Sequence, residues 1–360
     1  MQNKDKCNYI SIAKALGITL MVIGHSGCPA VFIRFLYLFH MPLFFLCSGY
    51  FFKEMKHFSS LKAFSIRKIK GLYIPYMKWS LLFILLHNPF YLLNIYNSYT
   101  NTYQYNTIDY GKSLLKAAFM TDYELLIRPF WFIKELLFSS IFIAVISLLR
   151  IKVYKSLNHG ILFSLLLITT IAFKWVNPTL PIIGNCSILA LCTVYFYTGI
   201  IFRNIENFIP VNISTTSIAF LVTFIGSLLY KGDIDMRYTT IQNIVPYYML
   251  SLFGIIMTFN ISKWLDRSQI KCLYYIGNHT MPILALNLFA FKLGSLIKIY
   301  YYNMPIEKLS SYTVINENNF YFWVVYTIIG ITIPLLTEYI FNKITQKKQI
   351  IMRFFGNKQN

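Results

Sequence analysis

The sequence predicts an all-α, polytopic integral membrane protein with about ten transmembrane helices and both termini in the cytoplasm. Hydrophobic residues make up 56% of the 360 residues and charged residues only 13%, about half the charged share of soluble domains. The mean hydropathy is +0.53. The apolar residues form long runs separated by short basic segments, a pattern typical of membrane helices and their connections. This composition excludes a soluble enzyme, a disordered chain and a disulfide-rich scaffold.

The ten predicted helices are apolar stretches that reach or approach the roughly 20 residues needed to cross a bilayer. They are 9–26, 35–52, 73–92, 130–149, 159–176, 182–202, 212–230, 244–262, 273–296 and 321–341. A tight turn at Asn177–Pro178 and Pro181 separates the fifth stretch from the sixth. Pro282 predicts a kink in the ninth.

Lys and Arg in the connections predict how the chain is oriented. The two termini and the connections after the second, fourth, sixth and eighth stretches hold most of the 33 basic residues. Because basic residues favour the cytoplasmic side, both termini are predicted to be cytoplasmic. We divide the chain into a transmembrane domain, residues 1–345, and a basic cytoplasmic tail, residues 346–360.

The net charge of +20 does not indicate a nucleic-acid partner. A nucleic-acid-binding protein gathers Lys and Arg on one solvated face, whereas here they lie between apolar runs. The six cysteines include no CxxC pair and no nearby His at metal-ligand spacing. We therefore expect no metal site.

Two connections differ from the others in composition. The connection after the second stretch carries six basic residues: Lys53, Lys56, Lys62, Arg67, Lys68 and Lys70. They are explained either by an ordinary cytoplasmic anchor or by docking of anionic lipid or of a phosphate-rich ligand such as coenzyme A. The longest outer loop, 88–129, is rich in Tyr, which fits either an interfacial aromatic belt or sugar stacking.

Titratable side chains inside the apolar stretches are the strongest functional signal, because each costs a few kcal/mol in a bilayer. Lys14 and His25 are eleven residues apart in the first stretch. That spacing puts both on one helix face, about 16 Å apart along the axis. Lys14 is then expected in the cytoplasmic half of the bilayer and His25 at the outer end.

A second histidine, His40, opens the second stretch. A short turn containing Gly27 and Pro29 joins the two stretches, so His25 and His40 are expected near the same membrane face. Pro42 removes a backbone hydrogen bond and is expected to open the helix near His40. The pair indicates either a proton-handling site or two interfacial histidines that meet water.

The fourth and ninth stretches also contain titratable side chains. Lys134 and Glu135 are adjacent and therefore point about 100° apart on a helix. Glu135 is expected to face the bundle and to pair with a basic group such as Lys14 or Arg128. His279 is either a ligand contact or a helix-start residue.

Several of these segments resemble the membrane acyltransferase-3 family. The resemblance rests on Lys14-x10-His25, on the Phe39–Phe45 run that continues to Ser48-Gly49-Tyr50, and on Trp131-Phe132. The segments Tyr73-Ile74-Pro75-Tyr76 and Ile276-Gly277-Asn278-His279-Thr280 fit the same pattern. The resemblance extends over nearly the whole chain, although residues 88–320 are similar mainly in layout.

The resemblance implies a ten-helix enzyme of the bacterial inner membrane. Such an enzyme moves an acyl group, usually acetyl from cytoplasmic acetyl-CoA, to a hydroxyl of a lipid-linked or cell-surface glycan. Acyl-CoA is then a donor substrate, and no permanently bound cofactor is implied. His25 matches the catalytic histidine of the family, and Lys14 stands where the family often has Arg. Asn287 lies in the span where many members have a further His.

The chemistry of acyl transfer suggests a role for each candidate residue. Transfer to a hydroxyl requires a base that takes the hydroxyl proton and a group that stabilises the oxyanion. We hypothesise that His25 is that base or transiently accepts the acyl group, that His40 orients it or shares its proton, and that Glu135 holds a positive partner. Arg67, Lys68 and Lys70 are expected to meet the coenzyme A phosphates. We assign Trp131, Ser48 and Tyr50 to substrate binding.

A rival interpretation is a proton-coupled transporter or flippase of a lipid-linked saccharide, with Lys14, His25 and Glu135 as the coupling set. Neither the basic connection nor the paired histidines has an obvious purpose in transport. Acyl transfer raises a topological question of its own, because the donor is cytoplasmic and His25 is predicted near the outer face. Either the pantetheine arm of the donor threads into the bundle, or the acyl group is relayed across it.

Overall fold

The computed structural model describes residues 8–97, 100, 102–152, 158–237, 241–318 and 320–356, and this part of the chain is almost entirely helical. The helices are α1 Asn8–His25, α2 Ala30–Tyr37, α3 His40–Tyr50, α4 Phe58–Lys68, α5 Ile74–Leu85, α6 His87–Leu92, α7 Thr107–Ala118, α8 Trp131–Lys152, α9 His159–Val176, α10 Cys186–Ile205, α11 Ile213–Leu229, α12 Ile244–Arg267, α13 Lys271–Asn278, α14 Thr280–Tyr302 and α15 Phe322–Gly356. Short 3₁₀ turns lie at Leu125–Phe130, Glu206–Phe208 and Ile306–Ser310.

Each of the ten predicted stretches falls on helix, which confirms an all-helical membrane protein. Seven helical segments of the described chain are long and apolar enough to cross a bilayer: Ala30–Tyr50, Leu125–Ile151, His159–Val176, Cys186–Phe208, Ile244–Arg267, Thr280–Tyr302 and Phe322–Thr345. The helix Ile213–Leu229 is apolar but shorter. The number ten and the cytoplasmic location of both termini stay predictions.

The second predicted span is broken near its N-terminal end. α2 ends at Tyr37 and α3 begins at His40, and Phe39 between them has φ −135° and ψ −18°. Pro42 lies in the first turn of α3, where its missing N–H is tolerated. The break therefore lies just before His40, so that His40 begins a helix rather than sitting inside one.

The ninth span is also divided, and more completely than a kink at Pro282 suggests. α13 ends at Asn278 and α14 begins at Thr280, with His279 between them at φ −118° and ψ 38°. The His279 side chain makes no cap hydrogen bond. Its Nδ1 lies 2.7 Å from the Tyr275 carbonyl, which favours a structural role at the helix junction over a ligand contact.

Two connections are more ordered than the sequence indicates. The predicted tight turn between the fifth and sixth spans is a small antiparallel hairpin of β1 Thr179–Leu180 and β2 Gly184–Asn185. The basic connection after the second span is largely helical, because α4 passes into α5 through the π-helical segment Ile69–Tyr73. Arg67 and Lys68 thus lie on a rigid helix and not on a loop.

The predicted outer loop is a folded cap built from α6, α7 and aromatic packing. The His87 ring stacks on Tyr105 with centroids 3.4 Å apart, and its Nδ1 lies 3.0 Å from the Glu124 carboxylate. Tyr96 is fully buried. Since these tyrosines and this histidine are occupied in packing, they explain part of the aromatic content of the loop without a sugar ligand.

Two glycines let helices of the bundle approach closely. A Cβ on Gly49 of α3 would lie 1.8 Å from the Phe196 carbonyl oxygen of α10, and a Cβ on Gly277 of α13 would lie 1.8 Å from the Ser11 carbonyl oxygen of α1. Small residues at helix crossings are a common packing device in membranes. Here they fix α1 and α3, which carry the histidines, against the rest of the bundle.

The division into domains stays a prediction. α15 runs from Phe322 to Gly356, and residues 357–360 of the predicted tail lie outside the described residues.

Candidate active site

Three neighbouring cavities form a chain through the bundle. We call them the basic cavity, of about 680 Å³, the middle cavity, of about 330 Å³, and the histidine cavity, of about 50 Å³. Ser48, Phe51 and Lys68 line both the basic and the middle cavities. The middle and histidine cavities share three apolar residues: Met21, Met41 and Leu284. Because neighbouring cavities share walls, the three cavities lie in series along one path, although side chains separate them from one another.

The basic cavity holds two of the three residues predicted to meet phosphates. Arg67 and Lys68 of α4 line it together with Lys53. The Lys68 ammonium donates to the Ser48 hydroxyl at 2.9 Å. Lys70 is exposed and is absent from the lining of the three cavities, so the structure does not group it with Arg67 and Lys68.

The middle cavity is mainly apolar and has a cation in its wall. Lys14 of α1 lines it beside Ser48 and Cys47 of α3. Among the described residues, the Lys14 ammonium has neither a hydrogen-bond partner nor an ion-pair partner. A cation in an apolar wall is costly, and a ligand carbonyl or oxyanion in the cavity would offset that cost.

The two histidines meet at the histidine cavity, as predicted. His25 ends α1, His40 begins α3, and both line this space. The Nδ1 atom of His40 lies 2.8 Å from the Leu36 carbonyl oxygen, so in the neutral imidazole Nδ1 carries the proton and Nε2 is left as the acceptor. The Tyr37 ring packs against both imidazoles, with its centroid 5.0 Å from that of His40 and 6.4 Å from that of His25.

Residues from the start of α8 and from two connections complete the histidine cavity. Trp131 follows the 3₁₀ turn before α8, Asp235 and Arg237 come from the connection between α11 and α12, and Tyr312 comes from the connection between α14 and α15. The Asp235 carboxylate accepts the backbone N–H of Arg237 at 2.9 Å. Burial raises the pKa of the Asp235 carboxyl, and its contacts with Arg237 oppose that shift.

Sequence reasoning identified Trp131 but missed Asp235, Arg237, Tyr312 and Tyr37. The one available signal was the charge density of Lys231–Arg237, which has two acids and two bases in seven residues. Nothing in that segment indicates which helix ends it approaches, since the placement depends on tertiary packing.

Glu135 is not among the residues that line the three cavities, although Leu136 beside it lines the middle one. It is buried, its Oε2 atom has no hydrogen-bond partner in the described part of the chain, and it forms no ion pair there. The expected pairing with Lys14 or Arg128 is therefore wrong. Arg128 instead lies over the Tyr312 ring, with its guanidinium carbon 5.3 Å from the centroid.

Tyr50 also lies outside the cavity lining. Its hydroxyl donates to the Glu206 carboxylate, which accepts a second hydrogen bond from the Tyr9 hydroxyl at 2.5 Å. Lys263 Nζ is 3.3 Å from the same carboxylate. This network joins α1, α3 and α12 to the end of α10. It indicates that Tyr50 stabilises the helix bundle, in contrast to the predicted role of Tyr50 in substrate binding.

The fold and the buried path define a multi-pass membrane protein whose site combines histidines with a basic entrance. The model of the acyltransferase-3 family, described as an acyltransferase domain, matches residues 8–357. The chain therefore belongs to the acyltransferase-3 family and is a membrane acyltransferase. No curated protein and no solved structure gave a significant match.

Proposed function

We propose that the protein is an O-acyltransferase that moves an acyl group, most simply acetyl, from cytoplasmic acyl-CoA to a hydroxyl of a lipid-linked or cell-surface glycan, and that it acts in the bacterial inner membrane. The observation that carries the proposal is the chain of cavities from Arg67 and Lys68 to His25 and His40. Such a path answers the topological question, because a slender pantetheine arm can follow it while the nucleotide stays at the basic entrance.

The basic cavity is the proposed site for the nucleotide end of the donor. Arg67 offers a planar fork for phosphate and Lys68 a point charge. Lys14, in the wall of the middle cavity, is placed along the arm, where its ammonium can donate to an amide carbonyl or to the thioester oxygen. Ser48 lines the same passage and contacts donor rather than acceptor.

The histidine cavity is the proposed reaction centre. A neutral His25 takes the proton of the acceptor hydroxyl as its oxygen attacks the thioester carbonyl. The tetrahedral adduct collapses, the carbon–sulfur bond breaks, and the proton passes from His25 to the leaving thiolate. His40, whose tautomer the Leu36 carbonyl sets, presents Nε2 as a second acceptor that shares this proton. Trp131 forms part of the acceptor side.

The transporter alternative gains no support from the structure. Its coupling set needs Glu135 in communication with Lys14 and His25, but Glu135 lies outside the path that those two residues line. Family membership independently favours acyl transfer.

The test is transfer of labelled acetyl from acetyl-CoA to endogenous glycan in membranes that contain the protein. Wild type is compared with His25→Ala and His40→Ala at matched protein levels. We expect label with the wild type, loss of label with His25→Ala and a strong reduction with His40→Ala. Absence of label in a host that supplies the native glycan contradicts the proposal, and label that survives His25→Ala removes that residue as the base.

A further inference from the structure

The connection between α14 and α15 folds back into the bundle. We refer to its residues as loop 304–318. Leu309, Val314 and Ile315 are each at most 4% exposed, and Ser310 is fully buried. Backbone that is neither helix nor strand must satisfy its polar groups inside a membrane protein. This loop therefore needs donors from its surroundings.

Two buried lysines of α14 supply those donors. Lys292 is 3% exposed and Lys298 is fully buried. The Lys292 ammonium donates to the carbonyls of Leu309 at 3.0 Å and Ser311 at 2.8 Å, and the Lys298 ammonium donates to the carbonyl of Ile315 at 2.8 Å. Lys292 lies ten residues before the end of α14, about 15 Å along the helix axis. The loop is thus drawn deep towards the middle of α14.

The loop presents Tyr312 to the histidine cavity. Tyr312 lines that cavity together with His25 and Trp131, remains 37% exposed, and has the Arg128 guanidinium carbon 5.3 Å from its ring centroid. The next residue, Thr313, has φ +51°, a conformation that β-branched residues rarely adopt. Strained backbone persists only where its surroundings hold it in place, and the lysine contacts on either side of Thr313 provide that constraint.

We propose that loop 304–318 selects the acceptor: Tyr312 contacts the acceptor sugar beside His25, and Lys292 and Lys298 are positioning residues that hold Tyr312 there. This inference rests on the proposed function for its acceptor. The ligand class is a sugar whose reacting hydroxyl enters the histidine cavity, which at about 50 Å³ is too small for a whole ring. Tyr312 and Trp131 offer aromatic faces to the ring at its edge, and Asp235 and Arg237 offer hydrogen-bonding groups. The nucleotide and pantetheine parts of the donor bind in the other two cavities, away from the loop, and only the acyl thioester reaches the histidine cavity.

The positioning claim is tested without any activity measurement. Cysteine introduced by Ser310→Cys, at a fully buried position between the two carbonyls that Lys292 binds, is labelled with a membrane-impermeant maleimide, with the wild type as background. We expect slow labelling that becomes about tenfold faster with Lys292→Met, because the loop leaves its anchored position. Lys292→Arg, which keeps the donors, should restore slow labelling, and Lys112→Met, at an exposed lysine of α7, should have no effect. Equal rates with and without Lys292 overturn the positioning role.

The acceptor contact is tested by separating the kinetic constants. Tyr312→Ala should raise the acceptor KM by about tenfold, the loss expected for a missing aromatic contact, and leave the KM for acetyl-CoA unchanged. Lys292→Met should follow the same pattern, and Lys292→Arg should recover most of the affinity. An unchanged acceptor KM in an active Tyr312→Ala protein overturns the inference and leaves the proposed function intact. A wild type without transferase activity overturns the proposed function and the acceptor role together.

Discussion

Gly49→Ala should disturb both stability and transfer, because Gly49 is where α3 touches α10. The new Cβ would lie 1.8 Å from the Phe196 carbonyl oxygen, whereas ordinary contact begins at 3.4 Å. The helices must therefore separate by about 1.6 Å. Overpacking of this kind costs about 1–3 kcal/mol. The melting temperature in detergent should fall by roughly 1–4 °C for a chain of 360 residues.

The same displacement should impair transfer, since α3 carries both Ser48 and His40. A misplacement of about 1 Å at a reacting group can reduce the rate by about 100-fold. Acetyl transfer from acetyl-CoA, measured at matched protein levels, should fall by that order in Gly49→Ala. Gly199→Ala should behave alike, because a Cβ there would lie 2.1 Å from the Leu46 carbonyl oxygen at the same crossing.

Gly111→Ala is the matched control. Gly111 lies inside α7, and a Cβ there would meet nothing within 4 Å. Its replacement should leave transfer unchanged and stabilise α7 by up to about 1 kcal/mol through helix propensity. If Gly49→Ala has the same melting temperature and the same acetyl-transfer rate as this control, the close approach of α3 to α10 does not position the site.

Three further predictions concern separate parts of the molecule. Lys68→Met should raise the KM for acetyl-CoA about tenfold with little change in kcat, because it removes a cation of the proposed donor entrance. Lys62→Met, at an exposed lysine of the same helix, should leave this KM unchanged. Equal increases of KM in both variants would show that the effect is a general loss of positive charge and not of a specific Lys68 contact. In the wild type, acceptor affinity should fall as the pH drops through the raised carboxyl pKa of Asp235, because protonation removes the carboxylate. Asp235→Asn should show a flatter profile of acceptor KM against pH. Matching profiles for wild type and variant would contradict this role of Asp235. Glu206→Gln should destabilise the protein by roughly 2 kcal/mol, because two tyrosine hydroxyls lose a charged acceptor, and an unchanged thermal melt would show that the network is dispensable.

The helices and the histidine pair were predictable from sequence because their signal is local. A titratable side chain in an apolar run is conspicuous, and the short turn between the first two spans constrains His25 and His40 to one membrane face. Only the nearby prolines indicate the helix breaks at Phe39 and His279. The exact positions of these breaks are not predictable, because a proline in the first turn of a helix and a proline inside a helix look alike in sequence.

The residues that close the histidine cavity opposite the two histidines were not predictable in the same way. Asp235 and Tyr312 reach the histidine cavity from connections that are distant in sequence, and their placement depends on how the helices assemble. Tyr50 shows the converse difficulty. It lies two residues after Ser48 in the same motif, which places it about 200° further round the helix, and its hydroxyl is directed to Glu206 instead of to the cavity.

The three apolar residues that separate the middle cavity from the histidine cavity, Met21, Met41 and Leu284, also bear on the electrical integrity of the membrane. A hydrated route through a bundle would let protons and salt ions leak down their gradients. Hydrophobic constrictions stop such leakage by excluding water, and the flexible methionine side chains can still move aside for a thin organic chain. In the proposed mechanism the constriction would therefore admit the donor arm by its shape while it insulates the membrane against charge.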